Sequence, residues 1–176
     1  MEVVDAIVKR RSVRSYYSDP IDDKIIKKLI LYANLAPSAG NLQARDFVVV
    51  KDEKLKRDIA KAAYHQDFIA EAPVVIVVCA NINRIKRYGT RGKNLYIYLD
   101  AGAAVENLML MAVAYGLATC WIGSFDGSKI EKLLNLPSYL VPITVMPIGK
   151  AKEHPLPRGR LPLNRIYHEN KFAGEK

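Results

Sequence analysis

Leu95-Tyr96-Ile97-Tyr98-Leu99-Asp100-Ala101-Gly102-Ala103-Ala104-Val105-Glu106-Asn107-Leu108-Met109-Leu110-Met111-Ala112-Val113-Ala114-Tyr115 is the stretch that decides the fold. It is rich in alanine, leucine and methionine, with no proline and one interior glycine, and it reads as about six turns of helix. Asp100, Glu106 and Asn107 are its only strongly polar interior residues. A helix apolar on most sides is buried in a core or covered by a second subunit. Gly102, Ala103 and Ala104 let another helix approach closely. Gly116 follows as a C-terminal cap.

Around that helix, the other elements fall in order. Val3, Val4, Ile7 and Val8 form one stripe of a short N-terminal helix. Ser18-Asp19-Pro20 is a turn, and Asp22 or Asp23 caps a helix carrying Ile25, Ile26, Leu29, Ile30 and Ala33. That helix ends before Pro37, since the residue ahead of a proline avoids helical angles. Phe47–Val50 reads as a buried strand and Asp52–Tyr64 as a helix. Val74–Cys79, a continuous β-branched run behind Pro73, reads as a strand buried on both faces. Residues 81–93 are polar, basic and poorly patterned, and read as a loop or irregular excursion. Short strands at Ala118–Ile122 and Pro142–Ile148 flank a turn and a short helix, Ser128–Leu134. Alternating strands and helices, taken alone, favour a doubly wound parallel sheet.

The chain has 176 residues, half of them hydrophobic, enough for one domain with a sizeable core. Lysine and arginine number 27 against 18 acids, a formal charge of +9. That balance favours anionic partners without choosing among nucleotides, phosphorylated cofactors and polyanions. The cations are scattered and not interleaved with aromatics, which argues against nucleic acid. Cys79 and Cys120 lie in apolar runs and read as reduced, buried thiols. His65, His154 and His168 are too dispersed for a metal site. With no apolar leader and no run of 18 apolar residues, a cytoplasmic protein without a membrane span is expected.

Arg10-Arg11-Ser12-Val13-Arg14-Ser15-Tyr16 carries the clearest chemical pattern. If extended, Arg10, Ser12 and Arg14 share one side, a row about 13 Å long that suits an elongated anion. A solvated basic turn at a helix C-terminus is the plainer alternative. Pro37-Ser38-Ala39-Gly40-Asn41-Leu42-Gln43 is a small polar segment in which glycine permits close backbone approach to a ligand. The segment from 151 to 176 is proline-punctuated and aperiodic, and carries Arg158 and Arg160.

Together these pieces resemble the FMN-dependent nitroreductase family. The matching motifs are Arg10–Tyr16, then Ala36-Pro37-Ser38-Ala39-Gly40-Asn41 with Gln43. They continue with Asp100-Ala101-Gly102-Ala103-Ala104 through Asn107-Leu108, and Gly116-Leu117-Ala118 through Trp121-Ile122-Gly123-Ser124-Phe125. The last is Pro157-Arg158-Gly159-Arg160-Leu161-Pro162-Leu163. The motifs stand in family order over nearly the whole chain.

The resemblance implies an α+β fold with a mainly antiparallel central sheet flanked by helices. It implies one domain spanning 1–176, a long central helix at a homodimer interface, and a C-terminal extension, 151–176, wrapping the partner. FMN sites would lie at that interface, with NADH or NADPH as electron donor and a nitroaromatic, quinone or similar small molecule as acceptor. Reductive dehalogenation and flavin cleavage are other activities of the same fold. A basic nucleotide- or nucleic-acid-binding module is the alternative from a different class.

By the same resemblance, Arg10 and Ser12 would hold the FMN phosphate or ribityl chain, and Arg11 would be a further cofactor-binding residue. Arg14 would face the pyrimidine edge of the flavin. Pro37, Ser38, Ala39 and Asn41 would come from the other subunit, and Gln43 would also bind the cofactor. Ile122 and Gly123 would lie beside the ring, with a backbone N–H near flavin N5. His65 and Gln66 would be polar neighbours, and Arg158 and Arg160 would complete a phosphate clamp. No side chain is required as an acid–base catalyst and no metal is implied. Gly123 stands where some relatives have an acid, so only a backbone contact is expected there.

Overall fold

The computed structural model describes residues 1–172 and Gly174. The helices are α1 (Val3–Lys9), α2 (Asp23–Asn34), α3 (Glu53–Ala62), α4 (Phe68–Glu71), α5 (Ile82–Ile85), α6 (Gly89–Arg91), α7 (Ile97–Ala114) and α8 (Gly127–Leu133). The strands are β1 (Arg45–Val50), β2 (Val74–Asn81), β3 (Ala118–Thr119) and β4 (Leu140–Gly149), in the sheet order β1-β2-β4-β3. Every neighbouring pair is antiparallel. The alternation that favours a parallel sheet is therefore misleading. The β2-to-β4 connection carries α7 across the sheet but returns the chain in the opposite direction.

β2 explains how the layers form. All eight of its residues are buried, because successive side chains point to opposite faces and both faces are covered. Val74, Ile76 and Val78 join α2 and α7 through Leu29, Ala101, Val105 and Leu108. Val75, Val77 and Cys79 join α3, α4 and α8 through Ile59, Ile69 and Ile130. Fully burying one such aliphatic side chain contributes about 1.5–3 kcal/mol. β1 lies at the sheet edge, and its residues Asp46 to Val49 are half-buried or exposed. The buried strand expected at Phe47–Val50 is thus an edge strand, covered fully only at Arg45 and Val50.

α7 buries Ile97, Asp100, Ala101, Ala104, Val105, Leu108, Met109 and Ala112, one stripe at helical spacing. Its other side leaves Tyr98 and Leu99 exposed at 46% and 59%. The stripe Val3, Val4, Ile7 and Val8 on α1 is more than half exposed throughout. α7 stops in a Schellman cap: Leu117 N–H donates to Ala112 O at 2.8 Å and Gly116 N–H to Val113 O at 3.0 Å. Gly116 takes φ +71°, the left-handed angle this cap requires.

Residues 81–93, expected as a loop or irregular excursion, are an irregular run of short helical turns rather than a loop. Asn81 caps α5, a turn at Lys86–Tyr88 and α6 follow, and a π turn at Gly92–Tyr96 leads straight into α7. The run Ile82–Ala114 is 33 residues long, enough by length and composition to cross a bilayer. Here it is the core helix, its apolar stripe packed on the sheet. Near the C-terminus, Ala151 bridges Tyr16 and Lys152 N–H donates to Ser15 O at 3.0 Å. The extension therefore leaves the fold only after Glu153, and beyond it the side chains of Leu156, Leu161, Leu163 and Ile166 are exposed.

Candidate functional site

The Arg10–Tyr16 row is laid along the sheet edge. Ser12 bridges Thr119 of β3 in parallel, and Val13 N–H donates to Thr119 O at 3.1 Å. Val13 and Tyr16 turn inward and are buried. Arg10, Arg11 and Ser12 are half-buried and Arg14 is exposed; the strict alternation expected of an extended chain is not kept, since the buried positions Val13 and Tyr16 are three residues apart. The Tyr16 hydroxyl donates to Val13 O, which locks the row's bend. Burial pushes that hydroxyl far above its ordinary range.

Two carboxylates face this cationic row. Glu106 pairs with the Arg10 guanidinium at 3.6 Å, a half-exposed contact that contributes little by itself. Glu153 accepts from the Arg14 backbone N–H at 2.5 Å, leaving the Arg14 guanidinium uncommitted to it. Arg11 donates to Val8 O and Arg10 O at 2.6 and 2.8 Å and so closes the C-terminal end of α1. Burial pushes the Cys120 thiol up despite the opposing pull of Arg14. Three arginines stand along one edge against two carboxylates, a charge excess suited to a phosphate.

Beyond β3 the chain runs past this row. Ile122 is buried and exchanges both backbone hydrogen bonds with Val145, at 3.1 and 3.0 Å. Gly123, next along, is exposed and its N–H makes no hydrogen bond among the described residues. Ile122 cannot offer its N–H to a ligand, whereas Gly123 can. The Gln66 side-chain amide donates to Ala63 O and Ser124 O at 2.9 and 3.0 Å, which ties the Tyr64–Gln66 turn to this loop. His65 lies exposed in that turn with φ +58°.

The Pro37–Gln43 segment forms a second cluster. Gly40, Asn41 and Gln43 all take positive φ, near +50°. Ser38 Oγ accepts from Gln43 N–H at 3.0 Å, and Asp100 Oδ1 accepts from Ala39 N–H at 2.9 Å. Holding all of this is Arg45, only 2% exposed. Its guanidinium donates to the backbone carbonyls of Asn34, Ala36, Pro37 and Asp100, at 2.9, 2.7, 3.2 and 3.0 Å, and to Asn34 Oδ1. One buried cation thus joins the end of α2, the segment and α7. Among the described residues, none of the segment's hydrogen bonds reaches the Arg10–Arg14 row.

Arg45 and Asp100 were not legible as positioning residues. The available signal was parity: Arg45 shares a strand face with Phe47, which packs towards α2 and α7. Arg87, which donates to Gly40 O at 3.1 Å, was hidden by the irregular pattern of 81–93. Arg158 and Arg160 are exposed, and the Arg160 guanidinium folds back onto the Arg158 and Gly159 carbonyls at 3.1 and 3.2 Å. Within one chain they do not meet Arg10 or Ser12. Among the described residues no cluster of histidine, cysteine or carboxylate side chains could hold a metal ion.

A family model described as the Nitroreductase family matches residues 7–66 and 60–150. The FMN reductase (NAD(P)H) of Bacillus subtilis is 29% identical, across 99% of this chain and 76% of that protein. The NADH dehydrogenase of Thermus thermophilus is 29% identical, across 94% of this chain and 95% of that protein. The solved structure of NADPH:FMN oxidoreductase from Vibrio harveyi, in complex with NAD+, superposes with a TM-score of 0.91 at 25% identity, over 99% of this chain and 79% of that one.

Proposed function

This chain belongs to the nitroreductase family, and from that premise we propose that it is an NAD(P)H-dependent FMN oxidoreductase whose acceptor is a nitroaromatic, a quinone or a similar small molecule. The observation that carries the reading is the cationic row Arg10–Arg14, which bridges Thr119 on the sheet edge, with an uncommitted amide at Gly123 four residues further along that same segment. Bound FMN supplies the two-electron redox chemistry. The donor set fits that group: forked cations and a hydroxyl for a phosphate and its polyol chain, and a free N–H for a ring nitrogen.

The protein's part is binding and electrostatics. Arg10, Arg11 and Ser12 bind the phosphate and ribityl oxygens, with Arg10 exchanging its weak pair to Glu106 for a dianion. Arg14 holds positive charge at the pyrimidine edge, where negative charge builds on reduction. Gly123 N–H donates at the ring, and His65 and Gln66 form a polar wall. In the homodimer, Pro37, Ser38, Ala39, Asn41 and Gln43 of each protomer close the other's site, and Arg158 and Arg160 reach the phosphate. Support for the dimer comes from the apolar surface left on α1 and α7: Val3, Val4, Ile7, Val8, Tyr98 and Leu99 are all more than 45% exposed. Such an interface buries more than about 2,000 Å² in total. A cytoplasmic site of action fits a dithiol protein with both cysteines buried and free.

Purified protein tests the reading directly. It should carry a flavin absorbance spectrum, bind FMN more tightly than riboflavin, oxidise NADH or NADPH with an acceptor from a nitroaromatic and quinone panel, and sediment as a dimer. Arg158→Ala and Arg160→Ala should each weaken FMN by about 1.5–3 kcal/mol while leaving riboflavin nearly unaffected. A colourless protein that absorbs near 260 nm as purified would instead point to a nucleic-acid binder.

A further inference from the structure

The segment between β2 and α7 carries charge that the fold does not answer. From Ile82 to Leu99 there is no Asp or Glu. Arg84 pairs with Asp46 at 2.8 Å and donates to the Gln43 and Arg45 carbonyls. Lys86, Arg87, Arg91 and Lys93 are exposed and pair with no carboxylate among the described residues.

Two of these four cations are nonetheless held in place. Arg87 donates to Gly40 O and to the Tyr88 hydroxyl, both at 3.1 Å, with its guanidinium 4.9 Å from the Tyr88 ring centroid. Arg91 donates to the Tyr96 hydroxyl at 2.9 Å and lies 5.5 Å from that ring centroid. Tyr88 and Tyr96 pack edge to face with centroids 5.4 Å apart. The partners are neutral, so they orient the charge without cancelling it. Four like charges crowded into eight residues repel one another, and a bound polyanion would relieve that.

We propose that Lys86, Arg87, Arg91 and Lys93 bind the phosphates of the electron donor, and that the donor's 2′-phosphate makes NADPH preferred over NADH. This rests on the FMN oxidoreductase reading above. Location supports it: Arg87 touches Gly40, inside the Pro37–Gln43 segment assigned to the flavin site. A dinucleotide presenting its nicotinamide to that flavin leaves its phosphates at the segment's rim. Charge supports it too. The pyrophosphate brings about two negative charges and a 2′-phosphate adds about 1.5 to 2 more, which approaches the four cations present. Arginine forks and lysine point charges are both phosphate binders.

The test is the triple variant K86Q/R91Q/K93Q, with Arg87 kept because it braces Gly40. In the parent, kcat/KM should be higher with NADPH than with NADH. In the variant the NADPH value should fall about tenfold or more, as for loss of charge-assisted contacts, and the NADH value by a smaller factor. FMN content is measured alongside. Adenosine 2′,5′-bisphosphate should bind the parent by calorimetry and bind the variant at least tenfold more weakly. An equal loss with both donors, an unchanged ratio, a parent that prefers NADH, or a loss of FMN in the variant would each overturn the inference. The calorimetric arm needs no turnover. If the parent holds no flavin yet binds the bisphosphate through these residues, the oxidoreductase reading fails and the phosphate site stands. If the bisphosphate does not bind, the site fails whatever the flavin result.

Discussion

Arg45→Met should separate the scaffold of the Pro37–Gln43 segment from its ligand. Methionine approximates the volume of the arginine stem but donates nothing. Of the carbonyls that Arg45 serves, Asp100 O keeps the Ala104 N–H within α7, but Ala36 O is buried and Asn34 O and Pro37 O are half-buried beyond the helical pattern. Stranding a buried acceptor costs about 1–3 kcal/mol and the half-buried pair add less, so the loss amounts to about 2–5 kcal/mol. Removing a desolvated cation returns part of that, and burial already disfavours the charged form of Arg45. The expected net loss is about 3 kcal/mol, a large share of the roughly 5–15 kcal/mol typical of a domain. The variant should still fold. Urea unfolding of apo-protein reads this loss, and fluorescence titration of the same variant reads FMN affinity, which should weaken as the segment loosens. Arg45→Lys keeps one cation but cannot reach four carbonyls, and should fall between the two. If Arg45→Met unfolds within about 1 kcal/mol of the parent, water satisfies those carbonyls and the staple is not structural. If stability falls while FMN affinity holds, the segment does not touch the cofactor.

Arg14→Ala should lower the flavin midpoint potential by about 40 mV, from about 2 kcal/mol of lost stabilisation over two electrons; an unchanged potential with weaker FMN binding would make Arg14 a plain binding residue. Gly149→Ala would place a methyl 2.9 Å from Pro73 Cδ and 3.2–3.3 Å from the Tyr16 side chain; the ring is enclosed, so thermal unfolding should show a loss of about 1–3 kcal/mol. Alkali should destabilise the fold. Burial pushes the Cys79 thiol from 9.0 up to about 12, so the unfolded chain loses its proton first, and stability present below pH about 9 declines as pH rises towards 12. The slope approaches about 1.4 kcal/mol per pH unit for that group, and Tyr16 adds to it above pH about 10. Unfolding midpoints between pH 8 and 11 check the sign. Alkylation at pH 8 should leave Cys79 untouched until the protein unfolds.

Local chemistry was legible from the sequence wherever neighbours along the chain settle it. The apolar character of α7, the Gly116 cap, the β-branched run of β2 and the Asp22 cap depend on spacing and on side chains within a few residues. The alternation Arg10, Ser12, Arg14 against Val13 could be read only in part, because an extended chain shows its two faces in the order of its residues and this one bends to bury both Val13 and Tyr16. The motifs added the family, and with it the antiparallel sheet that alternation of elements argued against. Tertiary structure alone decided which residues hold the site together. Arg45 gathers carbonyls from Asn34 to Asp100, and Ser12 finds Thr119 more than a hundred residues away. The basic stretch 81–93 looked irregular because its helical turns are stabilised by contacts such as Arg87 with Gly40 and Ile85 in a buried cluster, not by a periodic pattern of its own. Contacts between distant segments leave no periodicity in a sequence, because the partner that makes each residue matter is set by the path of the folded chain.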